Sequence, residues 1–229
     1  MPDPSPTLGK VLLSAARLQN VVPDAILVGG SVAALYAGHR DSFHHDHVLT
    51  DLVERYELVL EAVEATEGWA TSVRASRPPF TIMGRLGGVE AGLRQLRRTR
   101  PLESTRVEIQ DHTVVVPTEP EALRIKAYLV VQRNYVRDYL DVVAMSDHMG
   151  HDTAVDVLMG IDDYYEDRSG EKGSVLTALV ISLADPHPRD SDVTSELPRY
   201  KGLNARYHDW SEVVAVCQSL ALRISGAVE

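Results

Sequence analysis

"ILVGGSVAALYAGHRDSFHHDHV" occupies residues 26–48, and its reading decides how the rest of the chain is understood. The opening apolar run ends in Gly29-Gly30, where the backbone can take φ > 0 and approach a ligand with no Cβ in the way. Ser31 then begins "SVAALYAG", predicted as a short helix; the free N–H groups and dipole at its start suit an anion such as a phosphate. A Gly-Gly bend after a buried strand is also a frequent structural device, so the bend alone settles nothing. The next residues add chemistry. In "RDSFHHDHVL" (40–49) an extended chain places His44 and Asp46 on one face and His45 and His47 on the other. Two ion-binding groups one residue apart, beside a phosphate-binding bend, suit metal-assisted phosphoryl or nucleotidyl transfer, because the ion bridges protein and phosphate oxygens.

Working outward, residues 25–117 alternate between strand-like runs and turn signals. "AILVG", "ATSVRAS", "FTIMGRL", "RVEIQ" and "TVVVPT" are the expected strands, separated by Gly, Pro and polar residues. Between the first two lies "LTDLVERYELVLEAVEATEG" (49–68), where Leu52, Tyr56, Val59, Leu60 and Val63 recur at helical spacing and stop at Gly68. After Thr118 the strand-like runs cease. "EPEALRIKAYLVVQR", "VRDYLDVVAMSDHMG", "TAVDVLMGIDDYYED", "SVLTALVISLADP" and "WSEVVAVCQSLALRISG" all show three-to-four spacing, with "EDRSGEKG" and "DPHPRDSD" as loop signals. The expected fold class is therefore α/β (α+β), with a mixed-sheet domain in residues 1–118 and a C-terminal helical bundle in 119–229.

Composition limits the function classes. At 229 residues the chain can bury a core without staples, and its one cysteine, Cys217, excludes an intramolecular disulfide and a multi-cysteine zinc knuckle. The polar, proline-rich start "MPDPSPTLGK" does not resemble a signal peptide, and no apolar run reaches the length of a membrane span. The expectation is a soluble cytoplasmic protein with no membrane partner. A formal net charge of -10 opposes a broad grip on nucleic acid, which needs clustered cations. Positive charge does gather in "GLRQLRRTR" (92–100), at Arg94, Arg97, Arg98 and Arg100, as a solvated face or a local phosphate-contacting patch. A zinc reading of His39, His44, His45 and His47 lacks both His-Glu-x-x-His spacing and a cysteine partner.

The helical half carries a second motif. Lys126 lies in "EALRIKAYLVV" among Leu123, Ile125, Leu129 and Val130, so its ammonium must snorkel out or enter a polar site. Further on, Arg137 and Asp141 are four apart and Asp138 and Asp141 three apart, all neighbours on a helix; a structural salt bridge between Arg137 and Asp141 is one reading, an active-site carboxylate the other. Arg133 has a planar fork suited to paired phosphate oxygens.

Gly-Gly-Ser, a short helix, His-Arg-x-Ser and an extended segment with ion-binding residues two apart resemble the nucleotidyltransferase superfamily with the DNA-polymerase-β-type fold. "LRIKAYLVVQRNYVRDYLDVVAM", with its Leu-x-x-Lys helix and Arg-Asp-x-x-Asp, is similar to the AbiEii/AbiGii type of nucleotidyltransferase toxins of bacterial toxin–antitoxin and phage-defence systems. The resemblance runs from about Ile26 to Ala144. It implies a nucleotide-phosphate site at Gly29, Gly30 and Ser31, with Arg40 and Ser42 alongside, and an Mg²⁺ (or Mn²⁺) ion on His44 and Asp46. It also implies Lys126 and Arg133 as phosphate contacts and Asp141, with Asp138 competing, as base or orienter. The implied substrate is a nucleoside triphosphate, the acceptor tRNA or a protein side chain, and the partner a cognate antitoxin; Arg74, Arg77 and Arg85 join the basic run as candidate RNA contacts.

The departure from the pattern is His44, where the family has Asp, and imidazole is a poor ligand for a hard ion. Three explanations compete: an ion that accepts nitrogen, a register using Asp46 with Asp51, or a degenerate scaffold that binds nucleotide without turning it over. Glu90 in "GGVEAGL" is either a third carboxylate on a neighbouring strand or a solvated turn residue. A further class is an interaction module whose helical half, including Trp210 and "DDYYED", forms a partner surface.

Overall fold

The computed structural model describes residues 3–166 and 173–228. The chain divides into two compact units: an α/β unit of Asp3–Leu35 and Asp41–Thr118, and a helical unit of Tyr36–Arg40 and the residues after 118.

The α/β unit opens with α1 (Pro6–Val21), a helix that the proline-rich start conceals. Its reasons are local. Ser5 accepts a hydrogen bond from the Leu8 amide, and Pro6 sits in the first turn, where its missing N–H costs nothing. Leu8, Val11, Leu12, Ala15 and Leu18 then recur on one buried face.

Five strands form a mixed sheet in the order β1 (Ile26–Val28), β2 (His44–Leu49), β5 (Val89–Gln95), β4 (Thr81–Leu86), β3 (Trp69–Thr71). β2 and β5 run parallel; the other neighbours are antiparallel. This is the mixed α/β architecture expected. β6 (Ser104–Ile109) and β7 (His112–Pro117) make a separate two-stranded ribbon. Between Val28 and β2, α2 (Gly30–Ala37) starts directly after Gly29, and α3 (Tyr56–Glu64) covers a core that includes Leu18, Leu49, Leu52, Tyr56, Val59 and Leu93.

Three local expectations need correction. The helix predicted from Leu52 begins at Tyr56, because Arg55 Nε donates to Asp51 Oδ1 at 2.9 Å and pairs with Asp24, drawing residues 50–55 into turns. "ATSVRAS" is strand only through Thr71; the amides of Ala75 and Ser76 both bond the Ser72 carbonyl and curl the chain. Conversely, β5 was hidden within a segment read for its charge, since only Ala91, Gly92 and Leu93 at its middle are buried.

In the helical unit, α4 (Glu119–Arg133), α5 (Val136–Met149), α6 (His151–Met159), a short α7 (Ile161–Tyr164), α8 (Val175–Ala184) and α9 (Trp210–Val228) follow the predicted spacing closely. α4 packs on α5, α6 and α8, and α9 on α5, α6 and α8. The buried Leu123, Val130, Tyr139, Leu140, Leu179, Leu183, Cys217 and Leu220 supply the apolar faces. A nine-residue 3₁₀ helix at Ser191–Arg199 and a single 3₁₀ turn at Ala205–Tyr207 precede α9. The "EDRSGEKG" loop signal lies outside the described residues except for Glu166 and Gly173, as does Asp167 of "DDYYED". Among the described residues, no helix is long and apolar enough to cross a membrane.

Candidate active site

Strand register places Asp46. Val28 and Asp46 face each other across the β1–β2 pair, so the chain leaves β1 and turns at Gly29 beside the carboxylate. Gly29 has φ +87°, a backbone setting that a side chain would strain, and a Cβ there would lie 3.9 Å from Asp46 Oδ2. On the other side of β2, Asp46 is in register with Gly92 of β5. Its carboxylate lies across that glycine: a Cβ at Gly92 would come within 2.5 Å of Asp46 Oδ1 and 2.8 Å of Met83 Sδ. An isolated glycine inside a strand pattern is the sequence signal for such a close approach.

β2 alternates as the period-two reading expects. His44 and Asp46 are half-buried, whereas His45 and His47 are fully buried on the opposite face. His44 Nε2 is 3.7 Å from Asp46 Oδ2. Arg94 Nε donates to Asp46 Oδ1 at 3.1 Å, so this arginine of the basic run is engaged with the carboxylate. Behind the face, His45 Nε2 meets Ser14 Oγ at 3.0 Å; burial pushes the His45 imidazolium down to about 4 against the pull of Asp46, and burial, with the charge of His45, holds His47 well below the ordinary imidazole range.

At the bend, Ser31 is buried and its hydroxyl donates back to the Val28 carbonyl at 3.3 Å. What the bend offers a ligand is therefore the amide end of α2 rather than a free hydroxyl. Ser42 is likewise buried, donating to the His44 carbonyl at 3.1 Å and fixing the entry into β2. Glu90 is an exposed strand residue in register with His44, and Asp51 lies past the end of β2, paired with Arg55.

The helical unit gathers the other candidates around one carboxylate. Asp141 is fully buried: His39 Nε2 lies 2.8 Å from Oδ1, Arg40 Nε donates to Oδ1 at 2.8 Å and Arg40 Nη2 to Oδ2 at 3.0 Å, and Lys126 Nζ is 2.7 Å from Oδ2. Burial alone would raise the Asp141 pKa; the charges of Arg40 and Lys126, with the His39 bond, overcome this and hold it well below the carboxylate range. Burial lowers the Lys126 and His39 pKa values, with Asp141 pulling both back. Lys126 is 2% exposed, so its ammonium neither snorkels nor stands free. The expected Arg137–Asp141 pair is replaced by these contacts, and the competing Asp138 is bonded by Arg133, whose Nε and Nη2 donate at 2.7 and 2.6 Å.

Among the described residues, no group of three His, Cys, Asp or Glu side chains is arranged to enclose a metal ion. The donors nonetheless fit an ion shared with a substrate. Hard divalent ions in phosphate chemistry commonly take one or two carboxylates and complete their shell with phosphate oxygens and water. Asp46 Oδ2, on the Gly29 side, is one such donor, with the accessible His44 imidazole next to it on the same face.

No protein-family model matches the chain. It is 30% identical over 242 residues to the heme uptake protein MmpL11 of Mycobacterium tuberculosis, a match covering 96% of this chain and 23% of that protein. The chain thus spans less than a quarter of the length of this curated relative. Among solved structures it is similar to MenT4, a nucleotidyltransferase toxin of Mycobacterium tuberculosis, with a TM-score of 0.61 and 17% identity over 95% of this chain and 82% of that one. It is also similar to JHP933 from Helicobacter pylori, with a TM-score of 0.51 and 14% identity over 98% and 96% of the two chains. The chain shares its fold with these two proteins.

Proposed function

We propose that the protein is a nucleotidyltransferase of the AbiEii type, moving a nucleotide from a nucleoside triphosphate to an acceptor hydroxyl, with tRNA as the first acceptor to test. The observation that carries this reading is Asp46 beside the Gly29 bend: a carboxylate and the amide end of α2 brought together by the β1–β2 register. The amides of Gly30 and Ser31 bind phosphate oxygens, and their fixed orientation means that no reorganisation is needed as charge develops on the phosphate. Asp46 and His44 would hold Mg²⁺ or Mn²⁺; such an ion, when bound, neutralises charge on the reacting phosphate. Within the helical unit, Asp141 is proposed as a positioning residue for Arg40 and Lys126, because its oxygens already accept from His39, Arg40 and Lys126. MenT4 is named a toxin; a toxin role here, with an antitoxin as partner, is part of the same proposal.

The test is incubation with each α-labelled NTP, Mg²⁺ or Mn²⁺, and total tRNA. The expected result is label on RNA from at least one NTP, stronger with Mn²⁺ because His44 donates nitrogen; His44→Asp shifts the preference toward Mg²⁺. Absence of transfer from every NTP to tRNA and to protein overturns the reading.

Arg94 favours a second reading, a nucleotide-binding protein without turnover, because its guanidinium takes up Asp46 Oδ1. Arg94→Gln separates the two. If the arginine blocks the ion, the substitution creates or raises transfer; if it only steers the carboxylate, transfer is unchanged or falls.

A further inference from the structure

Between the 3₁₀ helix that ends at Arg199 and the start of α9, residues 200–208 run as a strap along the helical unit. The backbone of this strap is bonded largely to itself: the Leu203 amide to the Tyr200 carbonyl, Tyr207 to Asn204, and His208 to Ala205. Beyond the Tyr200 amide on Leu197 at its base, one backbone hydrogen bond ties it to the other described residues, from the Asn204 amide to the His39 carbonyl at 2.7 Å. Two of its side chains, Leu203 and Tyr207, are buried, whereas Asn204, Ala205 and Arg206 are exposed. A segment with so few ties opens locally at a small fraction of the cost of unfolding the whole unit.

The two ends of the strap differ. At the first, Lys201 and Gly202 both hold left-handed φ, +46° and +62°. That setting is costly for a residue with a Cβ, so Lys201 stores strain where a hinge would turn. At the other end Tyr207 is the latch. Its hydroxyl donates to Asp147 Oδ2 at 3.1 Å, and its ring stands edge-on to His39 with centroids 6.3 Å apart. His151 Nε2, 2.8 Å from Asp147 Oδ1, holds the same carboxylate from α6. Arg206 lies 3.8 Å from Asp147 and 3.6 Å from Glu212, long contacts that solvent screens.

Under the latch lies an unsatisfied group. Burial lowers the His39 pKa and keeps the imidazole neutral, and Asp141, held ionised by its cations, accepts from Nε2, so the single ring proton sits there. His39 Nδ1 therefore presents a lone pair, buried and with no hydrogen-bond partner among the described residues. An unmade bond to a buried acceptor costs free energy, which water reaching Nδ1 recovers. Closure keeps this face of His39 dry; opening hydrates it.

We infer that residues 200–208 are a mobile cover, hinged at Lys201-Gly202 and latched by Tyr207 on Asp147, whose opening exposes His39 and with it the Asp141 ion cluster. The cover is a property of the helical unit alone and goes beyond the transfer reading. Its effect on transfer, through Asp141 and the cations it positions, rests on that reading.

The test treats wild type and Tyr207→Phe with diethyl pyrocarbonate, which acylates a neutral imidazole nitrogen, in increasing urea below the unfolding transition. Amide hydrogen exchange is followed in parallel at Asn204 and at the buried Tyr139 of α5. In wild type, His39 modification and Asn204 exchange are expected to report one opening equilibrium that urea barely changes, while Tyr139 follows global unfolding. Tyr207→Phe lacks the charge-assisted bond, and both reporters should show opening about 10-fold more often. His39 modification that rises with urea at the slope of global unfolding overturns the cover, as does a change under about twofold in folded Tyr207→Phe. Asn204 exchange without His39 modification overturns it too, because the segment then frays and uncovers nothing. If Tyr207→Phe does not fold, the urea dependence of wild type decides alone. Urea-independent opening with no transfer from any NTP leaves the cover standing and ends the transferase reading; transfer with His39 protected until global unfolding does the reverse.

Discussion

Replacing Asp141 by Asn tests what that carboxylate does. The side chain keeps its shape but loses its charge, and Arg40 and Lys126, 7% and 2% exposed, lose the carboxylate they share. Removing one partner of a buried ion pair typically costs about 3–5 kcal/mol, because the remaining charge is left desolvated. In a chain of this size each kcal/mol moves the melting temperature by roughly 2–4 °C, so a loss on the order of 6–20 °C is expected. Lys126 is able to shed its proton, since burial already lowers its pKa, and that places the expected effect toward the lower half of the range. Adding Lys126→Met to Asp141→Asn removes the stranded ammonium and restores about half of the loss. Urea denaturation of the four proteins, wild type, both singles and the double, gives the coupling directly. A melting temperature for Asp141→Asn within about 2 °C of wild type would falsify the claim that the carboxylate anchors buried cations, and would return it to the role of catalytic base.

Two other outcomes follow from the geometry of the α/β unit. Gly92→Ala drives a methyl group to 2.5 Å from Asp46 Oδ1; overpacking of this kind costs about 1–3 kcal/mol, and nucleotide transfer should fall far more than stability does, as read by thermal melting beside the tRNA assay. Stability should also depend on pH through His45. Its folded pKa, about 4, lies below the ordinary 6.5, so its contribution is complete above pH 6.5 and is lost as pH falls toward 4. The full loss is about 3 kcal/mol, and His45→Gln should flatten the stability curve between pH 6.5 and 4; an unchanged slope counts against the buried, neutral imidazole.

Much of this fold is visible in the residues themselves. α4, α5 and α8 match their expected spans closely because their polar breaks coincide with real helix ends, and the strict alternation of β2 by itself assigns His44 and Asp46 to one face. α1 was missed because Pro2, Pro4 and Pro6 suggested a loop, although a proline in the first helical turn is favourable. β5 is legible only in part: Glu90 reads equally as a strand or a turn residue, because three buried residues carry too short a pattern to fix a period. Site partners separated by long stretches of sequence were the hardest to see. Spacing on one helix suggested Arg137 for Asp141, yet the observed partners Arg40 and His39 come from about a hundred residues earlier, a pairing that only tertiary folding sets. Likewise, Arg94 is exposed as the basic run suggests, and strand register also turns it onto Asp46, which spacing within the run does not show.

Phosphorus-31 relaxation of a bound, non-hydrolysable NTP analogue in the presence of Mn²⁺ reports directly whether Asp46 and the Gly29 bend serve one phosphate site. The expected result is strong relaxation enhancement in wild type and its loss in a folded Asp46→Asn variant. Analogue that binds with the same enhancement in the variant, or that shows none in wild type, contradicts the assignment of this carboxylate to the ion and of the bend to the phosphates.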